Sequence, residues 1–482
     1  MYSFHKNQQL QTRRQFFTTG RNVLGAAALA SLLGDSVVQG KETQPIGPHF
    51  APKAKRVIYL HMVGGPSQMD LFDYKPVMQD WYDKELPDSI RMGQRLTTMT
   101  SGQARFPVAP SKFKFSQAGE CGMWMNTELL PNLAKKADDI CWMRTLHTEA
   151  INHEPAITAM QTGNQVTGRP CLGSWASYGL GSDNENLPAF VVLVAIPRNR
   201  EQEQAISARL WSSGYLSGEH AGVRFRSQGD PILYINNPPG VPDAIRKRSI
   251  EGLNKLNELN YEQLGDPETR TRIQQYEMAF RMQASVPELT DLSQEPEHII
   301  KLYGEEARKP GTFANTVLMT RRLAERGVRF IQVYHNNWDH HSNVGGRMPD
   351  QCQDVDQPCY ALLEDLRQRG MLEDTLIIWG GEFGRTIYTQ GNLSRENYGR
   401  DHHPRCFTMW MAGGGARGGA IYGETDDFSY NIVKDPVHIR DFHATILHLL
   451  GFDHERFTVK FQGLDQRLTG VLPARVIPEL IA

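Results

Sequence analysis

Six short segments of this chain are apolar almost throughout: "RVIYLHMV" (56–63), "ICWMRTL" (140–146), "AFVVLVA" (189–195), "VRFIQVYH" (328–335), "DTLIIWG" (374–380) and "CFTMWMAG" (406–413). A strand with one wet face alternates apolar and polar residues, so strands without alternation must be covered on both faces. Longer stretches with apolar residues at helical spacing lie between them. These include "TELLPNLAKKADD", "TFANTVLMTRRLAERG" and "DQPCYALLEDLRQRG", the last two closing on a Gly of the kind that ends helices. "PVHIRDFHATILHLLG" (436–451) adds a late helix. Strand and helix in alternation predict an α/β fold built on a mostly parallel sheet with helices on both faces.

At 482 residues the chain is long enough for about three average domains, although large α/β enzymes exceed that average as one unit. Residues 46–482 are expected to form one such unit. Residues 200–311 are charged, Gln-rich and helical in tendency, with one short apolar run, "PILYINNP" (231–238). They read as a helical insertion or cap beside the sheet. Residues 1–45 stand apart: "TRRQFF" (12–17) precedes the weakly apolar "VLGAAALASLLG" (23–34), the layout of a twin-arginine export signal. That run is shorter than the roughly 20 residues a membrane span needs, so no integral span is expected. The expected partner is the twin-arginine export machinery, and the expected location is the periplasm or beyond. No clean A-x-A site marks cleavage near residues 35–45, which leaves an uncleaved anchor open.

Lys and Arg number 52 against 54 Asp and Glu, a formal charge of −2, so no basic field favours nucleic acid as a partner. The six cysteines, at 121, 141, 171, 352, 359 and 406, form no CxxC and no short-spaced framework, and read as buried thiols.

The chemistry concentrates elsewhere. "WDHHS" (338–342) and "GRDHHP" (399–404) carry the same Asp-His-His, at Asp339 and again at Asp401. Carboxylate and imidazole together suit a divalent metal, left open here among Zn, Mn, Ca and Mg. In open parallel sheets ligands bind beyond the carboxyl ends of the strands. Three polar segments follow strands in that way: His61 with Ser67 and Asp70, Asp339 with its histidines, and Glu382 with Arg385. The expected ligands are Asp339 with His341, Asp401 with His402 or His403, and Glu382, with His61 beside them. Alternate side chains of an extended segment share a face, so Asp339 and His341 are expected together with His340 pointing away. The structural alternatives are an Asp acting as a helix cap and a Glu382 that only pairs with Arg385. "GGGARGG" (413–419) lacks the GK[ST] of a phosphate loop and reads as a flexible turn.

"YLHMVGGPSQMDLFDYKP", "NHEPAITAMQTGN", "RPCLGSWASYGLGSDNENLPAFVVL", "GDPILYINNP", "DTLIIWGGEFGRT", "GRDHHP" and "HATILHLLGFDHERFT" occur in this order after residue 55. Together they resemble the exported bacterial family catalogued as domain of unknown function 1501. That family is similar in fold to the alkaline phosphatase and sulfatase superfamily, whose members hydrolyse phosphate or sulfate esters with divalent metals. The resemblance places Glu382 at a metal-binding acid, with Phe383, which cannot coordinate, at its partner. "HEPAITAMQTG" is similar to the sulfatase Cys-x-Pro-x-Arg segment, matching at Pro155, Thr162 and Gly163. His153 then stands where a sulfatase carries its modified Cys, and Ile157 stands at the Arg.

With the usual nucleophile missing, neither the sulfatase nor the phosphatase mechanism transfers. The resemblance therefore implies hydrolysis of a sulfate or phosphate ester, small or carbohydrate, by metal-activated water. His153 lines the site, Ser67 and Thr148 are fallback nucleophiles, and Arg144 with His147 and Asn152 lies near the lost nucleophile to meet an anionic oxygen. The alternative is a non-catalytic exported binding or envelope protein that keeps the fold.

Overall fold

A computed structural model describes residues 46–482 apart from 203–204, 233–235 and 238–239. The expected export signal, residues 1–45, lies outside the described residues, as does part of "PILYINNP". All six apolar segments are strands of one sheet: β1 (Arg56–Met62), β2 (Ile140–His147), β3 (Phe190–Val194), β5 (Phe330–His335), β6 (Thr375–Gly380) and β7 (Phe407–Ala412). Three short strands, β4 (Val223–Phe225), β8 (Ile421–Tyr422) and β9 (Val437–His438), complete it. The order is β8-β2-β7-β6-β1-β5-β3-β4, with β9 also paired to β2.

Every pairing is parallel except those of β7, which runs antiparallel to both β2 and β6. The cause lies at the carboxyl edge. After β6 the chain turns back through a two-residue antiparallel ladder, His402 opposite Arg385 and His403 opposite Gly384, and re-enters the sheet from the edge it had just left.

Continuous apolarity in β1 reflects two covered faces. Ile58, Leu60 and Met62 join one core layer with α5 (Phe313–Glu325) and α6 (Val344–Gln368). Val57 and Tyr59 join the other with α1 (His153–Thr162), α2 (Leu172–Leu180) and α7 (Ile439–Leu449). "TELLPNLAKKADD" forms a 3-10 helix, Leu133–Asp139, that begins just after Pro131, which has no N–H and ends any helical pattern running into it. Residues 200–311 contain an antiparallel pair, α3 (Asp243–Leu264) and α4 (Pro267–Thr290), and also supply β4 to the edge of the sheet. No residue of α3 is buried, whereas Met282, Val286 and Leu289 of α4 enter the same layer as α5. Among the described residues no helix is long and apolar enough to cross a membrane.

Candidate metal centre

β1 lies between β5 and β6, parallel to both, so the loops leaving their carboxyl ends meet. His61 pairs in register with Gly380, and Met62 with His335. Beyond them, Gly64 at φ +116° packs against the next loop so closely that a Cβ would collide with the backbone nitrogen of Asp339. Gly399 is equally constrained, since a Cβ there would strike the carbonyl of His341. The buried guanidinium of Arg385 ties these loops together: it donates from Nε to Gly65 O (2.9 Å), from Nη2 to Gly64 O, and from Nη2 to Asp339 Oδ1 (2.6 Å).

Three histidines from three parts of the chain converge on that carboxylate. One ligand atom each from His153, Asp339, His341 and His402 all lie within 4.8 Å of one another, a set that could hold a metal ion. From Asp339 Oδ1, His341 Nε2 is 2.8 Å away, His153 Nε2 3.2 Å and His402 Nε2 3.5 Å. Phe383 packs beside the rings of His153 and His402, centroids 4.9 and 4.5 Å apart.

The far side of each ring settles what the near side offers. His402 Nδ1 donates to the Ile151 carbonyl at 2.8 Å, and a carbonyl can only accept. Burial lowers the pKa of His402, so its imidazole is neutral and Nε2 carries a lone pair. That lone pair faces a carboxylate oxygen, an arrangement that is repulsive unless a cation stands between them. His341 is oriented in the same way, by Nδ1 at 2.6 Å from Gln390 Oε1. Burial opposes ionisation of Asp339, but the hydrogen bond from His153 and the charge of Arg385 outweigh it and hold the carboxyl well below its usual range.

His153 bridges this set to a second acid, with Nδ1 2.6 Å from Glu382 Oε1. Burial works against its charge, yet hydrogen bonds to Asp339 and Glu382 prevail and raise its pKa to about 9. Glu382 is fully buried, accepts from Gly64 N at 2.9 Å and lies 3.5 Å from His61 Nε2. It does not pair with Arg385. Burial raises its pKa, but hydrogen bonds from His153 and His61 reverse the direction. His61 and Glu382 therefore sit one layer behind the four converging atoms.

Other expected residues lie elsewhere. The Asp401 carboxylate accepts from the hydroxyls of Thr97 and Thr100 and from His402 N (2.7 Å). His403 stacks on Tyr430 and its Nε2 is 2.7 Å from the Tyr430 carbonyl, with burial lowering its pKa to about 4. The correction has a simple cause: in the His402–His403 ladder successive side chains point to opposite faces, so Asp401 and His403 turn away when His402 turns in. His340 is buried without a hydrogen-bond partner, pointing away from Asp339 and His341 as the alternation requires. Ser67 Oγ donates to Asp70 at 2.6 Å. Asp70 in turn forms a fully buried ion pair with Arg400. Thr148 Oγ1 accepts from Ala150 N, and Arg144 donates twice to the Gly423 carbonyl. Ser67, Thr148 and Arg144 are thus engaged in structural bonds away from the cluster. Gln390 and the Ile151 carbonyl, which orient two of the rings, carry no sequence signal that marks them.

The fold and these side chains define an α/β protein with a His/Asp cluster that could hold a metal, at the carboxyl edge of a mostly parallel sheet. The chain belongs to the family described as "Protein of unknown function (DUF1501)", whose profile matches residues 54–481. No curated protein matches it. Among solved structures it is similar to the PsFucS1 sulfatase from Pseudoalteromonas sp. (13% identity, 90% of this chain and 73% of that one, TM-score 0.32). It is also similar to a protein in the alkaline phosphatase superfamily from Vibrio parahaemolyticus (10% identity, 92% and 78%, TM-score 0.33). A third is the C-terminal periplasmic domain of EcEptC from Escherichia coli in complex with Zn (7% identity, 86% and 88%, TM-score 0.34). At these scores the functional argument rests on this chain's own side chains.

Proposed function

We propose that the protein is a metal-dependent hydrolase of sulfate or phosphate esters, carbohydrate esters included, exported by the twin-arginine route. The observation that carries the reading is the lone pair of neutral His402 facing Asp339 Oδ1 at 3.5 Å, with His341 Nε2 on the same oxygen at 2.8 Å. Asp339, His341 and His402 would hold the ion. Their mixed nitrogen and oxygen set suits Zn²⁺ or Mn²⁺ better than Ca²⁺ or Mg²⁺, which favour all-oxygen sites. A divalent ion supplies Lewis acidity and lowers the pKa of water from 15.7 to about 7 in favourable sites.

The protein's own groups do the rest. Arg385 fixes Asp339, while Gln390 and Ile151 fix the rings of His341 and His402. His153, which lines the cleft beside the cluster, holds a proton on Nε2 because Glu382 anchors its other nitrogen. It is placed to pass that proton to a leaving alkoxide. Neither Ser67 nor Thr148 reaches the cleft, so attack falls to water and no covalent enzyme intermediate forms.

The test is hydrolysis of p-nitrophenyl phosphate and p-nitrophenyl sulfate with and without chelator. Activity should need the metal, and His153→Ala should lower it by about 10²–10⁴-fold. A phospho- or sulfo-enzyme trapped on Ser67, Thr148 or His153 would contradict the water route. Bound metal without any turnover would favour the binding-protein alternative.

A further inference from the structure

The cleft beside the cluster is larger than a single ester group needs. Its volume is about 1490 Å³, and His153 and Asp339 line it. Ordinary small-molecule sites span roughly 300–1,000 Å³. Two buried amides on its wall are unsatisfied. Asn336, just past β5, is 0% exposed and leaves both carboxamide atoms without a hydrogen-bond partner. Gln351, on α6, is 5% exposed and leaves Oε1 unpartnered. Buried amides without partners cost stability, and two of them facing one cleft point to a ligand that satisfies them.

Among the described residues, the four arginines at the rim, which also carries Glu201 and Asp350, divide into two paired and two unpaired. Arg198 pairs with Asp354 and Arg209 with Glu154. Arg200 and Arg347 also line the cleft and are exposed, and among the described residues neither side chain forms an ion pair. Carboxamides both donate and accept, which suits hydroxyl groups, whereas an unpaired guanidinium suits a tetrahedral oxyanion.

We propose that this cleft is a glycan-binding groove. It takes a polyhydroxylated chain that bears a further sulfate or phosphate beyond the ester at the cluster. Asn336 and Gln351 bind hydroxyls, and Arg200 and Arg347 bind the remote anion. The substrate class rests on the ester-hydrolase reading, but occupancy of the groove is measurable without turnover.

The experiment is calorimetric titration of the full chain with three probes. A heparin-derived hexasaccharide carries sulfate, a phosphorylated mannose oligosaccharide carries phosphate, and maltohexaose is neutral. One anionic probe should bind at least about tenfold more tightly than maltohexaose, and its identity names the ester. Arg200→Glu and Arg347→Glu should each weaken that binding by about tenfold or more. Lys247→Glu, on α3 and away from the cleft, should leave it unchanged. Asn336→Leu should lose affinity while the melting temperature holds or rises, because an amide with no partner contributes nothing to the fold. The groove is overturned if no anionic probe is preferred, if the two arginine reversals change nothing, or if Asn336→Leu melts early with affinity intact. Glycan binding without turnover of p-nitrophenyl esters would sink only the hydrolase reading, and turnover without glycan binding only the groove.

Discussion

Asp339 Oδ1 and His402 Nε2, one from each of the two Asp-His-His segments, lie 3.5 Å apart. The repeated tripeptide does not contribute the same positions twice. The first copy turns its Asp and second His into the site, and the second copy only its first His, because each follows the alternation of its own backbone.

This asymmetry separates two neighbouring substitutions. His402→Ala should abolish tight metal binding with a modest effect on folding. Asp401→Asn should retain metal but cost about 1–3 kcal/mol, since it disturbs an acceptor that satisfies two buried hydroxyls and a backbone N–H. Metal titration and chemical denaturation of both variants check the contrast. Metal loss in Asp401→Asn with unchanged stability would reverse the assignment.

The strands are legible in the sequence because burial on both faces leaves apolar runs without alternation, and all six appear. The direction of β7 is not legible, since it depends on the two-residue ladder that returns the chain to the same edge. Strands as short as Ile421–Tyr422 carry no period to read. At the site, residue type alone points to Asp339, His341 and His402. Asp401 and His403 are indistinguishable from them by type, because a tripeptide says nothing about which face its backbone turns inward. Arg385 is visible as a charge, but its partner is not: the sequence suggests Glu382, and the fold supplies Asp339.

The Gln390 side chain meets the cluster at His341, whose Nδ1 lies 2.6 Å from its Oε1. Gln390→Leu should weaken metal affinity by about 10–100-fold, the usual effect of losing a hydrogen bond that orients a ligand. Isothermal titration measures this directly. An unchanged affinity would mean that packing alone holds the ring.

The metal-free protein should lose stability on the alkaline side. His153 titrates near 9 in the fold against 6.5 for a free imidazole. The folded state therefore binds this proton more tightly than the unfolded chain. Its contribution is complete below about pH 6.5 and is lost as pH rises through about 9. Melting temperatures in chelator should fall across that window, and His153→Gln should flatten the fall. A profile with the same slope in the variant would remove His153 as its source.

The proposed export rests on the paired arginines before the apolar run. Residues 1–45 fused to a reporter that works only after folded export should carry it across the membrane, and Arg13→Lys with Arg14→Lys should stop it. Equal export of the double-Lys fusion would refute the twin-arginine route.

The central claim is that Asp339, His341 and His402 hold one divalent ion. Mass-spectrometric metal analysis of the purified protein, reconstituted with Zn²⁺ or Mn²⁺ and desalted, tests it most directly when wild type is compared with Asp339→Ala. The account predicts about one tightly held ion per chain in the wild type and none in Asp339→Ala, with the variant still folded by circular dichroism. A wild-type protein that retains no ion, or an Asp339→Ala variant that retains it in full, would contradict the account.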